Sequence, residues 1–249
     1  MKSKKSFLER KIKPKKFDAF NVINLMLFVG VVVMFIISLG FCIKDLTLST
    51  NKNEYIIPIL QRVLAILIAF VPLLLKKIFK IAFPKMATSI FYLFLFLSIY
   101  LGTFLNLYQK VESWDIIIHF LFGLIAGFFA MFLINELIKN KEKLSVFLVF
   151  IFVFCFSISL GVCWELYEFA FDSLLNLNMQ NYQYANGISL VGQNALLDTM
   201  LDLSFDFFGA VVSALVCSVC SYKNKKFIFN FKILKLKKQL NNTISQIEE

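Results

Sequence analysis

Residues 145–168 read SVFLVFIFVFCFSISLGVCWELYE, and this stretch decides the class of fold. Positions 146–163 hold no charged side chain. A helix of about 20 such residues crosses a hydrocarbon core of about 30 Å. Acidic residues begin only at the end of the stretch, with Glu165 and Glu168. The stretch therefore predicts a membrane-spanning helix that carries carboxylates near one face of the bilayer.

Five other stretches have similar length and composition, so we predict an all-α polytopic membrane protein with a six-transmembrane-helix bundle. The chain of 249 residues is 59% apolar with 31 Phe, which excludes an ordinary soluble domain. The segments between the stretches are too short for a soluble domain. The predicted spans are residues 20–43, 55–75, 87–107, 115–137, 145–168 and 197–219. They form one predicted domain, 20–220, between basic tails at 1–19 and 221–249.

The basic residues predict the orientation of this bundle. Of the 26 Lys and Arg, 22 lie in the tails and alternate loops. Positively charged loops stay in the cytoplasm, so we predict a multi-pass protein of the inner (plasma) membrane with both termini cytoplasmic. The four basic segments are 1–17, 76–85, 139–143 and 223–238.

The net charge of +10 has two readings, a nucleic-acid partner or a membrane partner. We predict no nucleic-acid partner, because the basic residues are not gathered with aromatics on one soluble face. We predict instead that membrane lipids are the partners, with the basic tails facing the anionic inner leaflet. Stretch 223–238 mixes lysines with apolar residues, which fits a helix lying on that leaflet or a solvated tail. The sequence predicts no particular oligomeric state.

Acidic residues from three predicted spans, together with the single histidine, fall on the outer side of this bundle. An ionisable group within a bilayer is costly, so it usually faces a partner, a water-filled cavity or a substrate. Helical spacing of three, four, seven or eight residues places the members from each span on one face. The set is Asp115, His119, Glu165, Glu168, Asp172, Asp198, Asp202 and Asp206.

These residue types suggest three kinds of role. We predict that Asp115, His119, Asp202 and Asp206 are catalytic, with Asp115 and His119 as the acid–base pair. A substrate or ion site would be formed by Glu165, Glu168, Asp172, Asp198 and Arg62. Alternatively, His119 is a structural hydrogen-bond donor and Arg62 only neutralises the acids.

A divalent cation is a candidate cofactor, because carboxylates with one imidazole suit Mg²⁺, Mn²⁺, Ca²⁺ or Zn²⁺. We predict Asp198, Asp202 and His119 as its ligands. The spacing matches no named metal motif, so the alternative is a cluster that holds no metal.

The second half of the chain resembles the YjdF-like family of bacterial inner-membrane proteins. The resemblance rests on WDIIIHFLFG at 114–123, WELYE at 164–168 and GQNALLDTMLDLSFDFFGA at 192–210. The arrangement is more distantly similar to VanZ-like membrane proteins, which also place an Asp/His helix before an acidic final helix. The resemblance implies six spans and no established reaction. In place of the family's Gly-Asp pair and Trp, this chain has Asn194, Ala195 and Leu197.

Three functions are compatible with these observations. The first is an intramembrane enzyme acting on a lipid or cell-envelope intermediate at the outer leaflet, and the sequence favours it. The second is a small proton- or cation-coupled transporter, since membrane carboxylates often relay ions. The third is a non-catalytic assembly or resistance factor whose polar cluster only holds the bundle together. In the enzyme, segment 173–196 would serve as a lid over the site or as an ordinary outer loop.

Overall fold

The structure, a computed structural model, describes residues 19–49, 55–111, 113–184 and 186–235. Most of the predicted N-terminal tail (1–18) and the end of the C-terminal tail (236–249) lie outside the described residues. The chain forms two compact units. The first unit comprises Met1–Ala69 and Lys85–Phe94, and the second comprises Phe70–Pro84 and Leu95–Glu249.

Helices make up most of the described chain. The α-helices are α1 Ala19–Leu48, α2 Ile56–Ala69, α3 Val71–Leu74, α4 Lys85–Leu95, α5 Leu107–Lys110, α6 Trp114–Leu137, α7 Val146–Leu175 and α8 Leu197–Lys223. Two segments are π-helical, Leu75–Phe79 and Phe96–Phe104. Three segments are 3₁₀-helical, Lys141–Lys143, Gly192–Leu196 and Lys225–Phe231. Two short strands, β1 Ile81–Ala82 and β2 Leu234–Lys235, pair antiparallel.

Within the described residues, five helical segments are long and apolar enough to cross a membrane. A sixth candidate is a pair of helices, Ile57–Ala69 and Val71–Phe79, bent by 42° at the break between them. The described residues therefore contain five candidate membrane spans by length and composition, or six if the bent pair counts as one. The five are Asn21–Leu48, Lys85–Phe104, Trp114–Leu137, Val146–Leu175 and Gly192–Lys223.

The bent pair departs from the continuous helix that we predicted over 55–75. α2 ends at Ala69, and Pro72 then lies in the first turn of α3. Proline has no backbone N–H and its ring clashes with the preceding turn, so it begins a helix more readily than it continues one. A π-helix then continues to Phe79. This helix ends at Lys80, whose φ of 57° is left-handed.

The first unit is held together by polar contacts among its apolar helices. Arg62 on α2 donates from Nε to Ser38 Oγ of α1 at 3.0 Å and from Nη1 to the Pro58 carbonyl at 2.9 Å. At the other end, Asn24 Nδ2 donates to the Lys85 carbonyl at 3.0 Å. A polar side chain in an apolar helix is most stable when a neighbouring helix supplies its partner.

The second unit is built on close contact among α6, α7 and α8. A Cβ atom at Gly123 on α6 would run into the Asp206 carbonyl oxygen of α8, and one at Gly209 into the Phe120 carbonyl oxygen of α6. On α7, Ser157 Oγ donates to the Gly123 carbonyl at 2.6 Å. Small residues let helices approach until their backbones touch, which supplies the packing that lipid cannot drive.

α7 extends past residue 168, the end of the predicted span, and reaches Leu175. Ser145 caps its N-terminus by accepting the Leu148 N–H at 3.1 Å. Asn176 ends it with a φ of 54°, the left-handed conformation that often terminates a helix. The extension carries Asp172 on the same helix as the two glutamates. Asp172 lies about one turn after Glu168 and two turns after Glu165.

At the end of the second unit near the C-terminal stretch, apolar side chains pack together and basic residues lie next to them. Ile228, in the 3₁₀ segment Lys225–Phe231, is 1% exposed and packs with Met131 and Val149. Lys225 Nζ donates to the Leu144 carbonyl at 3.0 Å. Up to residue 235, the C-terminal stretch is therefore a short 3₁₀ helix and a strand packed on the bundle. Its contact with the inner leaflet stays a prediction.

We predict that Gly123→Ala destabilises the protein by about 1–3 kcal/mol, because the added methyl group overpacks a backbone contact. Thermal unfolding of the purified protein, followed by intrinsic fluorescence, measures the change. The matched control is Gly40→Ala on α1, where an added Cβ meets no atom within 4 Å. Alanine favours a helix there by roughly 0.5–1 kcal/mol, so the control should be as stable as wild type or more so. Equal stability of the two variants would contradict the proposed helix contact.

Candidate functional site

His119 lies at the centre of a cluster of carboxylates between α6 and α8. Its Nδ1 atom is 3.3 Å from Asp206 Oδ2. Its Nε2 atom is 3.7 Å from Asp115 Oδ1 and 3.8 Å from Asp202 Oδ2. An ionised carboxylate only accepts, so Asp206 favours the tautomer with its proton on Nδ1. That tautomer turns the Nε2 lone pair towards Asp115 and Asp202.

The four residues predicted to be catalytic are thus together, and their exposure falls steadily along the cluster. The side chain of Asp115 is 26% exposed and that of His119 is 6% exposed. Asp202 and Asp206 are 3% and 1% exposed. The cluster is therefore accessible at Asp115, where α6 begins, and closed at Asp206.

Two glutamates on α7 are held against the same cluster. Trp164 Nε1 donates to Glu168 Oε1 at 2.9 Å. Gln180 Nε2 donates to Glu165 Oε2 at 3.2 Å and to Thr199 Oγ1 of α8 at 2.9 Å. Both glutamates are at least nine-tenths buried. These bonds fix the direction of each carboxylate.

The remaining two acids hold the segment after α7, residues 176–191, which we call the strap. Asp172 accepts backbone N–H groups from Met179 at 2.8 Å and Gln180 at 3.0 Å. Asp198 Oδ1 accepts from Asn181 Nδ2 at 3.0 Å. The C-terminal end of α7 and the N-terminal end of α8 therefore tie down the strap, and the strap in turn places Gln180 beside Glu165.

Arg62, which we predicted as part of the substrate or ion site, belongs to the first unit, while the eight other predicted residues belong to the second. Its bonds to Ser38 and Pro58 give it a packing role within the first unit. Its role as a counter-charge for the acids stays a prediction.

Three residues close to the cluster were not predicted as site residues from the sequence. Gln180 lies in the strap, where no periodic pattern marks it. Trp164, which a membrane-interface anchor would explain, is a hydrogen-bond donor to Glu168. Tyr108, on α5 between two spans, is largely buried; burial raises the pKa of its phenol, and Asp115 raises it further. Tyr108 thus remains a proton donor beside the acids.

Two groups of side chains have ligand atoms within 4.8 Å of one another and could hold a metal ion. The first group is Asp115, His119 and Asp202, and the second is Glu165, Glu168 and Asp202. The set that we predicted, Asp198 with Asp202 and His119, differs from both. Asp198 belongs to neither group, and its role as a metal ligand stays a prediction.

Several carboxylate oxygens in the cluster are buried without a hydrogen bond from any described residue. They are Glu165 Oε1, Asp198 Oδ2, Asp202 Oδ2 and Asp206 Oδ1. A buried acceptor without a partner costs about 1–3 kcal/mol, and more when it is charged. His119 is the basic side chain that the described part of this unit places within 4.0 Å of these acids. The site therefore has more acceptors than donors, which suits a proton, a cation or a positively charged substrate group.

The fold and site define an integral membrane protein with several transmembrane helices and a buried acidic cluster. The chain belongs to the family described as "Predicted membrane protein (DUF2238)", whose model matches residues 23–223. This match covers all eight cluster residues. A relative named "Uncharacterized protein" from Thermotoga maritima is 29% identical over 147 residues, which is 58% of this chain and 68% of the relative. No solved structure matches the chain.

We predict that Asp172→Ala loosens the strap without unfolding the helices. Hydrogen bonds to a charged acceptor contribute about 1.5–3 kcal/mol, so the amides of 176–184 should exchange with deuterium at least about tenfold faster. Hydrogen–deuterium exchange followed by mass spectrometry measures this rate. Ser189→Ala, an exposed position in the same strap, is the control and should leave the rate unchanged. Faster exchange throughout α7 and α8 would instead indicate that Asp172 stabilises the whole bundle.

Proposed function

We propose that this protein is an enzyme acting on a lipid or cell-envelope intermediate at the outer leaflet of the plasma membrane, with His119 as its general acid–base. The observation that carries the proposal is the arrangement of His119, with Asp206 at Nδ1 and an acidic opening at Nε2. A histidine that served packing alone would need one acceptor. Here both ring nitrogens face carboxylates, and Nε2 faces Asp115, the most exposed acid of the three around the ring.

The proposed division of labour follows from the contacts. Asp206 holds the ring in one orientation and stabilises its protonated form, as a buried carboxylate does for a catalytic histidine. Nε2 exchanges a proton with the substrate, assisted by Asp115. A positioned acid–base of this kind contributes about 10²–10⁴-fold to a rate. Asp202 and the Tyr108 hydroxyl would orient polar substrate groups at Nε2.

The residues around this centre shape the substrate site. Glu165 and Glu168 line its α7 side, fixed by Gln180 and Trp164. Asp172 and Asp198 hold the strap, which in this proposal is the lid over the site. The contribution of Arg62 to a substrate or ion site stays a prediction from the sequence.

The distribution of basic segments supports the proposed orientation, with six spans, cytoplasmic termini and the acids outside. Strands β1 and β2 join segment 76–85 to the C-terminal stretch, and Lys225 binds the Leu144 carbonyl next to segment 139–143. Three basic segments therefore meet at the end of the second unit that lies opposite the acids. Positive charge concentrates on the cytoplasmic side, where anionic lipids would bind it. WDIIIHFLFG and WELYE, two of the motifs that carry the resemblance to the YjdF-like family, lie at the acidic end.

Genetic complementation combined with lipid analysis tests the proposed activity. A strain in which the gene is deleted should accumulate one lipid or envelope intermediate. Wild-type protein supplied to that strain should consume the intermediate. His119→Gln should leave the intermediate at the level of the deletion strain, because glutamine cannot exchange a proton near neutral pH. Protein abundance in the membrane is measured in each strain, so that a loss of folding is separated from a loss of chemistry.

The matched control is Glu136→Gln, an exposed acid at the other end of α6, which should complement as wild type does. Full complementation by His119→Gln at normal abundance would contradict the acid–base role. A role as an assembly or resistance factor would then explain the cluster better.

A proton- or cation-coupled transporter is the second candidate, and the bent helix pair is the observation that favours it. Discontinuous helices often form the ion sites of transporters, and Ile57–Ala69 with Val71–Phe79 is broken within the bilayer-length segment. In liposomes, a transporter would give proton or cation flux that Asp206→Asn abolishes. Absence of flux from well-folded wild-type protein would leave the enzyme as the better account.

A further inference from the structure

We propose that the acidic cluster binds two divalent cations that share Asp202 as a bridging ligand. This inference rests on the proposed function for the identity of the site but changes the role of one atom. An ion on Nε2 would take the lone pair that otherwise exchanges a proton, so with ions bound His119 would act as a ligand and the ions would supply the activation of water or substrate. Ion binding is measured without any substrate. A two-ion site differs from a single-ion site in its set of ligands and in the number of ions bound per chain. It also makes both ions depend on one residue, Asp202.

The first ion would be held by Asp115, His119 and Asp202. The contacts of His119 Nε2 at 3.7 and 3.8 Å are longer than a hydrogen bond. Two ligand atoms at about 2.1 Å from one ion stand about 3.4 Å apart at a tetrahedral angle, so these separations suit a shared ion. Asp206 on the other ring nitrogen orients the imidazole, as carboxylates commonly do for metal-binding histidines.

The second ion would be held by Glu165, Glu168 and Asp202, whose ligand atoms also lie within 4.8 Å of one another. This group offers only oxygen ligands, which Mg²⁺, Mn²⁺ and Ca²⁺ prefer. Trp164 and Gln180 bind one oxygen of each glutamate. Each glutamate therefore has a fixed direction before any ion binds.

Unpartnered buried oxygens point independently to a ligand here. Asp202 Oδ2 and Glu165 Oε1 have no hydrogen-bond partner among the described residues. The two residues are 2% and 5% exposed, so water reaches them poorly. One of these atoms belongs to the bridging residue and the other to the second group, which places an unmet acceptor in each proposed ion site.

Charge balance favours two ions over one. When ionised, the carboxylates of Asp115, Glu165, Glu168, Asp202 and Asp206 carry five negative charges, and the basic side chain that the described residues supply nearby is His119. One divalent ion would leave three of these charges uncompensated in a buried site. Two divalent ions would leave one, which a proton or a substrate group can meet. Paired ions about 3.5–4 Å apart, bridged by a carboxylate, commonly activate substrates for hydrolysis or phosphoryl transfer.

Manganese is the probe, because its ligand preferences cover both groups and its spin reports a neighbouring ion. Full-length protein in nanodiscs is stripped with chelator, dialysed against Mn²⁺ and analysed for bound metal. We expect two Mn²⁺ per chain in wild type, with an exchange-coupled electron paramagnetic resonance spectrum. His119→Gln and Glu168→Gln should each bind one ion with an uncoupled spectrum, and Asp202→Asn should weaken both sites at least about tenfold.

Glu136→Gln is the control for charge, since it removes a carboxylate about 25 Å along α6 from His119 and should retain two ions. One ion or none in wild type would overturn the inference, and this result does not depend on any variant folding. Two ions that persist in Asp202→Asn would also overturn it. Two ions in wild type with full complementation by His119→Gln would support the ion sites while removing the acid–base role, so the two failures are distinguishable.

Discussion

The contact between α6 and α8 at Gly123 and Gly209 is the constraint on which the site depends. Each glycine packs on the backbone of the other helix, so the helices approach as closely as their main chains permit. That approach brings Asp202 and Asp206 to His119. In lipid there is no water to solvate a carboxylate, so these acids are tolerable only where another polar group meets them. The close packing of α6 on α8 is therefore what gives the buried acids a polar partner.

The bundle assigns its acids to two tasks. The inner group lies around His119, with carboxylate oxygens 3.3 to 3.8 Å from its ring nitrogens, and includes oxygens without donors among the described residues. The outer pair, Asp172 and Asp198, accepts bonds from the strap, and through Gln180 the strap fixes Glu165. Loss of the strap would thus change the direction of a carboxylate in the cluster. The site and the strap therefore form one connected network of hydrogen bonds.

The length and apolar composition of six stretches predicted the transmembrane helices. Helical spacing predicted the faces that carry the acids, because residues three and four apart lie on one face of a helix. It could not predict Gln180, which reaches Glu165 from an irregular segment. Tyr108 was missed for the same reason, since it lies on a one-turn helix between two spans. The break after Ala69 had a local signal in Pro72, but the apolar composition on both sides suggested a continuous span. Composition specifies where a chain is apolar, and the backbone path through that region depends on single residues.

Nitrogen-15 NMR of His119 tests the central claim most directly, because the chain has one histidine and its signals need no assignment. We expect two distinct ring-nitrogen resonances, because Asp206 holds the proton on Nδ1 and slows its exchange. We also expect the Nε2 resonance to shift when Zn²⁺ is added. A pair of averaged resonances like those of a free imidazole, unchanged by Zn²⁺, would contradict an oriented histidine within an ion-binding acidic cluster.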